Sequence, residues 1–220
     1  RILVFSRQSE GKKETIDFGF EVREGITFLR SLLPTSVEIR SNLASDQTIS
    51  GDQTQIQQIV LNLGTNAADA MAGERGLLEI ELDTYEVTIS DAISIPELKA
   101  GSYSRLLVKD NGSGMTQEQQ KRMFDPYFTS KPIGKGTGLG LASVHGIVKN
   151  HGGAIRVASV PGKGTELELF FPKLPESLAK RRDVKLQQIP TGKGEQVLLV
   201  DDDELVLDSV GYMLDRLGYS

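Results

Sequence analysis

Gln55-Ile-Gln-Gln-Ile-Val-Leu-Asn62-Leu-Gly-Thr-Asn66-Ala-Ala-Asp-Ala70 decides how the rest of the chain is read. Ile56, Ile59, Val60, Leu63 and Ala67 recur at steps of three and four, the spacing of one helix face. Gly51-Asp52 stands just before them, so the pattern predicts a helix from about Gln53 to Met71. Asn62 and Asn66 are four apart and lie one above the other beside the apolar stripe. Burial of that stripe would aim both amides along the edge of the core into a cleft. Asn is a poor helix former, so two of them in mid-helix ask for a reason. An amide carbonyl is a hard oxygen ligand of the kind Mg²⁺ takes, alongside waters and substrate phosphates. Two polar residues on a solvated face would give the same letters.

Working outward, Asp110-Asn-Gly-Ser-Gly114 follows an apolar strand predicted over Ser104 to Lys109. Its glycines permit positive φ and a close approach of ligand to backbone. A carboxylate held at a strand end can accept a hydrogen bond from an exocyclic amine such as the N6 of adenine. A plain strand-to-helix turn reads the same way. Gly136-Thr-Gly-Leu-Gly140 opens a helix predicted from Gly138 to Asn150. Free N–H groups at a helix start make an anion site, and glycine lets phosphate oxygens come near; a flexible linker is the other reading. The chain holds no Walker A loop, and the glycine spacing departs from the dinucleotide fingerprint. Lys131 and Lys135 flank a Pro- and Gly-containing segment from Asp125, and either contact phosphates as a lid or are solvated loop lysines.

The remaining pattern frames these signals. Phe20 to Leu33 has helical spacing and stops at Pro34; Val37 to Leu43 alternates like a strand with one wet face. Strands are predicted at Leu77 to Asp83 and, as a hairpin around Pro161-Gly-Lys-Gly164, at Ala154 to Val160 and Thr165 to Phe171. Thr116 to Met123 reads as a short helix, and Glu86 to Gly101 as a surface excursion. Helices mixed with consecutive antiparallel strands imply an α+β two-layer sandwich, a mixed sheet with helices on one face. Phe124, Tyr127 and Phe128 read as aromatic core rather than a docking surface, and His145 and His151, the two histidines, as structural.

Composition sets the outer limits. The net charge of −5 over 220 residues argues against a nucleic-acid partner. No apolar run has the length of a membrane span, and no signal-peptide pattern opens the chain. The absence of cysteine excludes a disulfide scaffold and fits a reducing, cytoplasmic setting. Leu174 to Gln196 reads as a polar linker, followed by a strand at Val197 to Val200, the acidic run Asp201 to Glu204 and a helix to about Leu217.

In this order the motifs resemble those of the ATP-binding domain of sensor histidine kinases, in the wider superfamily of gyrase, Hsp90 and mismatch-repair ATPases. Gln55 to Ala70 resembles the N box, Asp110 to Gly114 the G1 box, Met123-Phe-Asp-Pro-Tyr-Phe-Thr-Ser-Lys131 the F box, and Gly136 to Leu141 the G2 box. Gly162-Lys-Gly-Thr165 resembles the last Gly-rich turn. The resemblance covers about Asp17 to Pro172 and implies a Bergerat-type ATP-binding sandwich. It implies Mg²⁺ at Asn66 and adenine read by Asp110 in a turn built by Gly112 and Gly114. Nucleotide contacts are expected from Asn62, Lys135, Gly136, Thr137, Gly138, Leu139, Gly140 and Thr165, with Asn62, Asn66 and Lys131 at the reacting end.

In the hydrolytic relatives the residue four before the metal Asn is a water-activating Glu. Here it is Asn62, an amide that cannot serve as general base, which suits phosphoryl transfer over hydrolysis. A nucleotide-responsive module without catalysis and a superfamily ATP hydrolase remain the alternatives. Family members often carry Lys or Arg three residues after the metal Asn; this chain has Asp69. The resemblance also implies domains at 1–14 (tail of a dimerisation helix), 15–173 (catalytic domain), 174–196 (linker) and 197–220 (start of a receiver, with Asp201 and Asp202 as its acidic pair). The partners implied are the protein's own dimerisation domain with its acceptor His, and a receiver domain, in a homodimeric parent protein.

Overall fold

The computed structural model describes residues 13–71, 75–88, 97–131, 136–175 and 195–200, with single positions at 90, 211, 214, 218 and 219. Lys135, the expected helix tail at Arg1 to Gln8, and the pair Asp201 and Asp202 lie outside the described residues. The chain divides into two compact units, Arg1–Ala179 and Lys180–Ser220.

In the first unit, strand β1 (Glu14–Asp17) leads into helix α1 (Phe18–Leu32), and β2 (Val37–Leu43) and β3 (Thr48–Gly51) precede helix α2 (Gln53–Ala70). β4 (Gly76–Val87) and β5 (Gly101–Asp110) follow, then the short helix α3 (Gln117–Arg122), helix α4 (Gly140–Asn150), β6 (Ala154–Val160) and β7 (Gly164–Pro172). Side-chain oxygens cap the helices where the sequence offers them. Asp17 accepts from the Phe20 N–H at 2.9 Å, and Asp52 Oδ1 accepts from the N–H groups of Thr54 and Gln55 at 2.9 and 3.3 Å. Thr116 and Gln119 form a reciprocal capping box at the start of α3.

Five strands form one mixed sheet in the order β2-β4-β5-β7-β6, parallel between β2 and β4 and antiparallel elsewhere. Alternation decides its faces. Leu78, Ile80 and Leu82 of β4, Leu106 and Val108 of β5, and Leu167, Leu169 and Phe171 of β7 point to one side, where they join α1, α2 and α4 in a single core. Ion pairs cross the other face: Arg105 reaches Glu168 at 3.0 Å and Asp83 at 2.5 Å, and Arg156 also pairs with Glu168. A smaller apolar cluster of Val87, Leu98, Tyr103, Ala154 and Phe170 lies beside them. This is the expected α+β sandwich.

Three features differ from the sequence expectation. β1 and β3 pair antiparallel as a separate two-stranded sheet that the four-residue runs Glu14–Asp17 and Thr48–Gly51 are too short to announce. β4 continues to Val87 and β5 begins at Gly101, because each takes the other as a partner well past its alternating stretch. In the second unit, residues 195–200 have no strand structure, and Val197, Leu198 and Val200 are exposed. An apolar run becomes a strand only where a neighbour takes its N–H and C=O groups, and no such pairing occurs among the described residues. Positions 211 and 214 are helical, within the helix expected there.

Candidate functional site

Packing of α2 on the sheet turns its polar edge into a cavity of about 580 Å³. Asn62 and Asn66 line it from α2, Asp110 and Thr165 from adjacent strand ends of β5 and β7, and Gly136, Thr137, Gly138 and Gly140 from the approach to α4. Lys131 enters from the segment after α3. Asn66, Asp110 and Lys131, far apart in sequence, thus share one wall system.

Asp110 is mostly withdrawn from water, and that burial pushes its carboxyl above the usual carboxylate range; backbone N–H groups of Gly112 and Thr165 pull the other way. Its Oδ1 accepts from the Gly112 N–H at 2.8 Å. Gly112 itself does not line the cavity; it holds Asp110 instead. Gly114 has φ 65° and lies against the Val160 carbonyl, so the turn after β5 is locked onto the β6–β7 hairpin. The Thr165 hydroxyl sits 2.9 Å from Ser159 Oγ, which accepts the Met115 N–H at 2.8 Å. That network ties the carboxylate's turn to the strand beside it.

The start of α4 lies over the two asparagines: a Cβ on Gly140 would stand 3.6 Å from both Asn62 Oδ1 and Asn66 Nδ2. Its N-cap is Leu139, which supplies no side-chain hydrogen bond, so the first N–H groups of an eleven-residue helix remain free of a side-chain cap. Leu139 does not line the cavity; it is the N-cap position of the helix. Gly138 has φ 64° and packs on the Tyr127 backbone, and its carbonyl accepts the Tyr127 N–H at 2.9 Å. Tyr127 is itself left-handed at φ 67° and 77% exposed, so it is not part of the aromatic core expected of it. Phe124 does join that core, stacked on His145 at 4.9 Å between ring centroids. Phe128 lines the cavity, with the Arg122 guanidinium 4.5 Å from its ring centre.

Lys131 Nζ donates to Asn66 Oδ1 at 3.3 Å and to Asp69 Oδ2 at 2.5 Å. The carboxylates that line the cavity are Asp69 and Asp110, one paired with a lysine and the other held by a backbone N–H. The sequence reading missed the apolar lining from Leu63, Val108, Met123, Leu141 and Leu167. Strand alternation would have found Val108 and Leu167, whereas Met123 and Leu141 depend on how α3 and α4 dock.

Residues 51–175 match the family model described as histidine kinase-, DNA gyrase B- and HSP90-like ATPase. The chain belongs to this family. It is of the sensor histidine kinase type, in the part that forms the ATP-binding catalytic domain. Sensor kinase CckA of Brucella abortus (strain 2308) is 32% identical across the whole chain, which covers 24% of that relative. Sensor histidine kinase ZraS of Escherichia coli O157:H7 is 37% identical over 61% of the chain and 26% of its own length. The chain thus spans about a quarter of the curated relatives it matches. Among solved structures, a mycobacterial sensor histidine kinase, MprB, superposes with a TM-score of 0.59 at 25% identity, over 74% of this chain and 99% of that one.

Proposed function

We propose that this chain transfers the γ-phosphoryl group of ATP to a histidine on a separate dimerisation domain, and that Asn66 holds the Mg²⁺ of the nucleotide. Asn62 is the observation that carries the choice of transfer over hydrolysis. It stands next to Asn66 in the cavity, where a water-activating carboxylate would be needed for hydrolysis, and an amide cannot take the proton. The carboxylates in the lining are both already engaged.

The donor set supports the cation. Lys131 already places a positive charge against Asn66 Oδ1, so that oxygen faces where a cation can sit. Among the described residues no three His, Cys, Asp or Glu side chains converge, which suits Mg²⁺ held by an amide oxygen, phosphates and water. When bound, Mg²⁺ would neutralise charge on the β- and γ-phosphates.

The chain's own residues do the positioning. Asp110 accepts from the adenine amine, the first N–H groups of α4 receive phosphate oxygens with Gly136, Thr137 and Gly138 beneath them, and Lys131 meets the γ end. The acceptor imidazole nitrogen then bonds to the γ-phosphorus as the bond to the β–γ bridging oxygen breaks. ADP leaves with that electron pair, and the ring's other N–H proton passes to solvent. An acceptor on another domain is supported by the engagement of the chain's own histidines, His145 stacked on Phe124 and His151 buried. That domain, a homodimeric parent and a receiver domain are the partners of this reading. No helix among the described residues is long and apolar enough to cross a membrane.

The test is transfer in trans. Incubated with γ-labelled ATP and a CckA-type dimerisation domain carrying its histidine, the chain should produce acid-labile label on that domain, and Asn66→Ala should abolish it. Steady ADP release with no label on the histidine would refute the kinase reading.

A further inference from the structure

The contact of Lys131 with both Asn66 and Asp69 assigns a role to a residue that the nucleotide reading leaves unused. Asn66 and Asp69 are three apart on α2, so their oxygens lie on one face and one turn. A single ammonium spans them, 3.3 Å from the amide oxygen and 2.5 Å from the carboxylate oxygen. An amide oxygen and a carboxylate oxygen sharing one cation is the chemistry of a hard-cation site.

The lysine's path is also built. Its N–H is held by Thr129 Oγ1 at 3.1 Å, and a Cβ on Gly136 would lie 3.2 Å from its Cδ and 2.7 Å from Thr129 Oγ1. Glycine at 136 therefore leaves the corridor through which the lysine reaches α2. The pair is accessible to water, 31% for the lysine side chain and 56% for Asp69. A pair so exposed is weak and exchanges readily.

We propose that Asn66 and Asp69 form one cation site shared by exchange between the Lys131 ammonium and the divalent cation of a metal–nucleotide complex, and that the exchange frees Lys131 for the phosphates. This rests on the nucleotide reading above. Charge favours the exchange. Asp69 and Lys131 together sum to zero, whereas Asp69 with a divalent cation carries one positive charge and the released lysine adds a second, both next to a polyphosphate. Asp69 thus makes nucleotide binding depend on the metal: without one, its carboxylate keeps the lysine and repels phosphate.

Calorimetry of the full chain with a non-hydrolysable ATP analogue, titrated from EDTA through increasing Mg²⁺, tests the exchange without any activity readout. Asp69→Asn should raise the Mg²⁺ concentration for half-maximal tightening about tenfold or more, the usual cost of losing a supporting ligand. It should leave metal-free binding equal or stronger. Lys131→Met should move the midpoint down, by up to about fivefold for an exposed pair, while weakening the plateau affinity. If the unaltered chain binds no analogue at any Mg²⁺ concentration, the nucleotide reading fails. If it binds and both variants keep its midpoint within twofold, only the exchange is overturned.

Discussion

At the scale of the residue, Asp110 is where binding and stability pull apart. Its carboxyl is raised by burial, so its contribution to stability is present below the ordinary carboxylate value of about 4 and is lost as pH rises through the raised value. At neutral pH the charge is a burden on the fold that serves the ligand. Asp110→Asn keeps an acceptor for the Gly112 N–H and sheds that charge. It should weaken ATP-analogue binding about 10- to 100-fold, the worth of a hydrogen bond to a charged group, and melt at the same or a higher temperature. A lower melting temperature with intact affinity would contradict both halves. For the native chain, affinity should fall as pH drops through the raised value, since the neutral acid is a weaker acceptor for the adenine amine than the carboxylate.

At the scale of the element, the approach of α1 to α2 is decided by two glycines. A Cβ on Gly64 would overlap the methyl groups of Leu29, and one on Gly25 would stand 2.9 Å from Val60 Cβ. Leu29 is fully buried and has nowhere to swing. Gly64→Ala gains up to about 1 kcal/mol in helix propensity but overpacks a dense contact at about 1–3 kcal/mol, so overpacking wins. A net loss of roughly 1–2 kcal/mol in urea unfolding is expected, and pairing it with Leu29→Ala should recover part of the loss. An unchanged urea midpoint would mean the helices can separate freely. Because α2 carries Asn62 and Asn66 between this contact and the cavity, the same variant should disturb nucleotide affinity as well.

At the scale of the whole molecule, His151 joins the end of α4 to the small β1–β3 sheet and to β7. Its Nδ1 lies 2.7 Å from the Ile147 carbonyl, its ring meets Phe171 edge-on, and its buried Nε2 faces Gly51 with no partner among the described residues. Burial lowers its pKa, Lys13 adds to that, and the Ile147 carbonyl and Asp52 oppose it. A lowered folded value means stability present above the ordinary value of about 6.5 and lost as pH falls below it. The urea midpoint should therefore drop between pH 7 and pH 5, and His151→Gln should flatten that drop. A slope unaffected by the substitution would place the titrating group elsewhere.

How much of this the sequence carries depends on how local each feature is. The apolar stripe of α2, the caps at Asp52 and Thr116, and the alternation of β2, β6 and β7 are written within a few residues, and each forms where it is expected; the Asp17 cap lies ahead of the expected start of α1. The N, G1, F and G2 motifs are local too, so their order sufficed to indicate the family and much of the polar lining of the cavity, with Gly112 and Leu139 outside that lining. By itself, then, the sequence determined which faces are apolar, where the helices lie to within about two residues, and which polar residues meet at the cavity. Only the tertiary structure decided the pairing of β1 with β3, the burial of His151, the exposure of Tyr127 and the grip of Asp69, 62 residues away, on Lys131. Periodicity encodes a face but not its partner. The partner is chosen when the collapsed chain brings distant segments within a few ångströms, where sterics and charge act between residues that no short pattern relates.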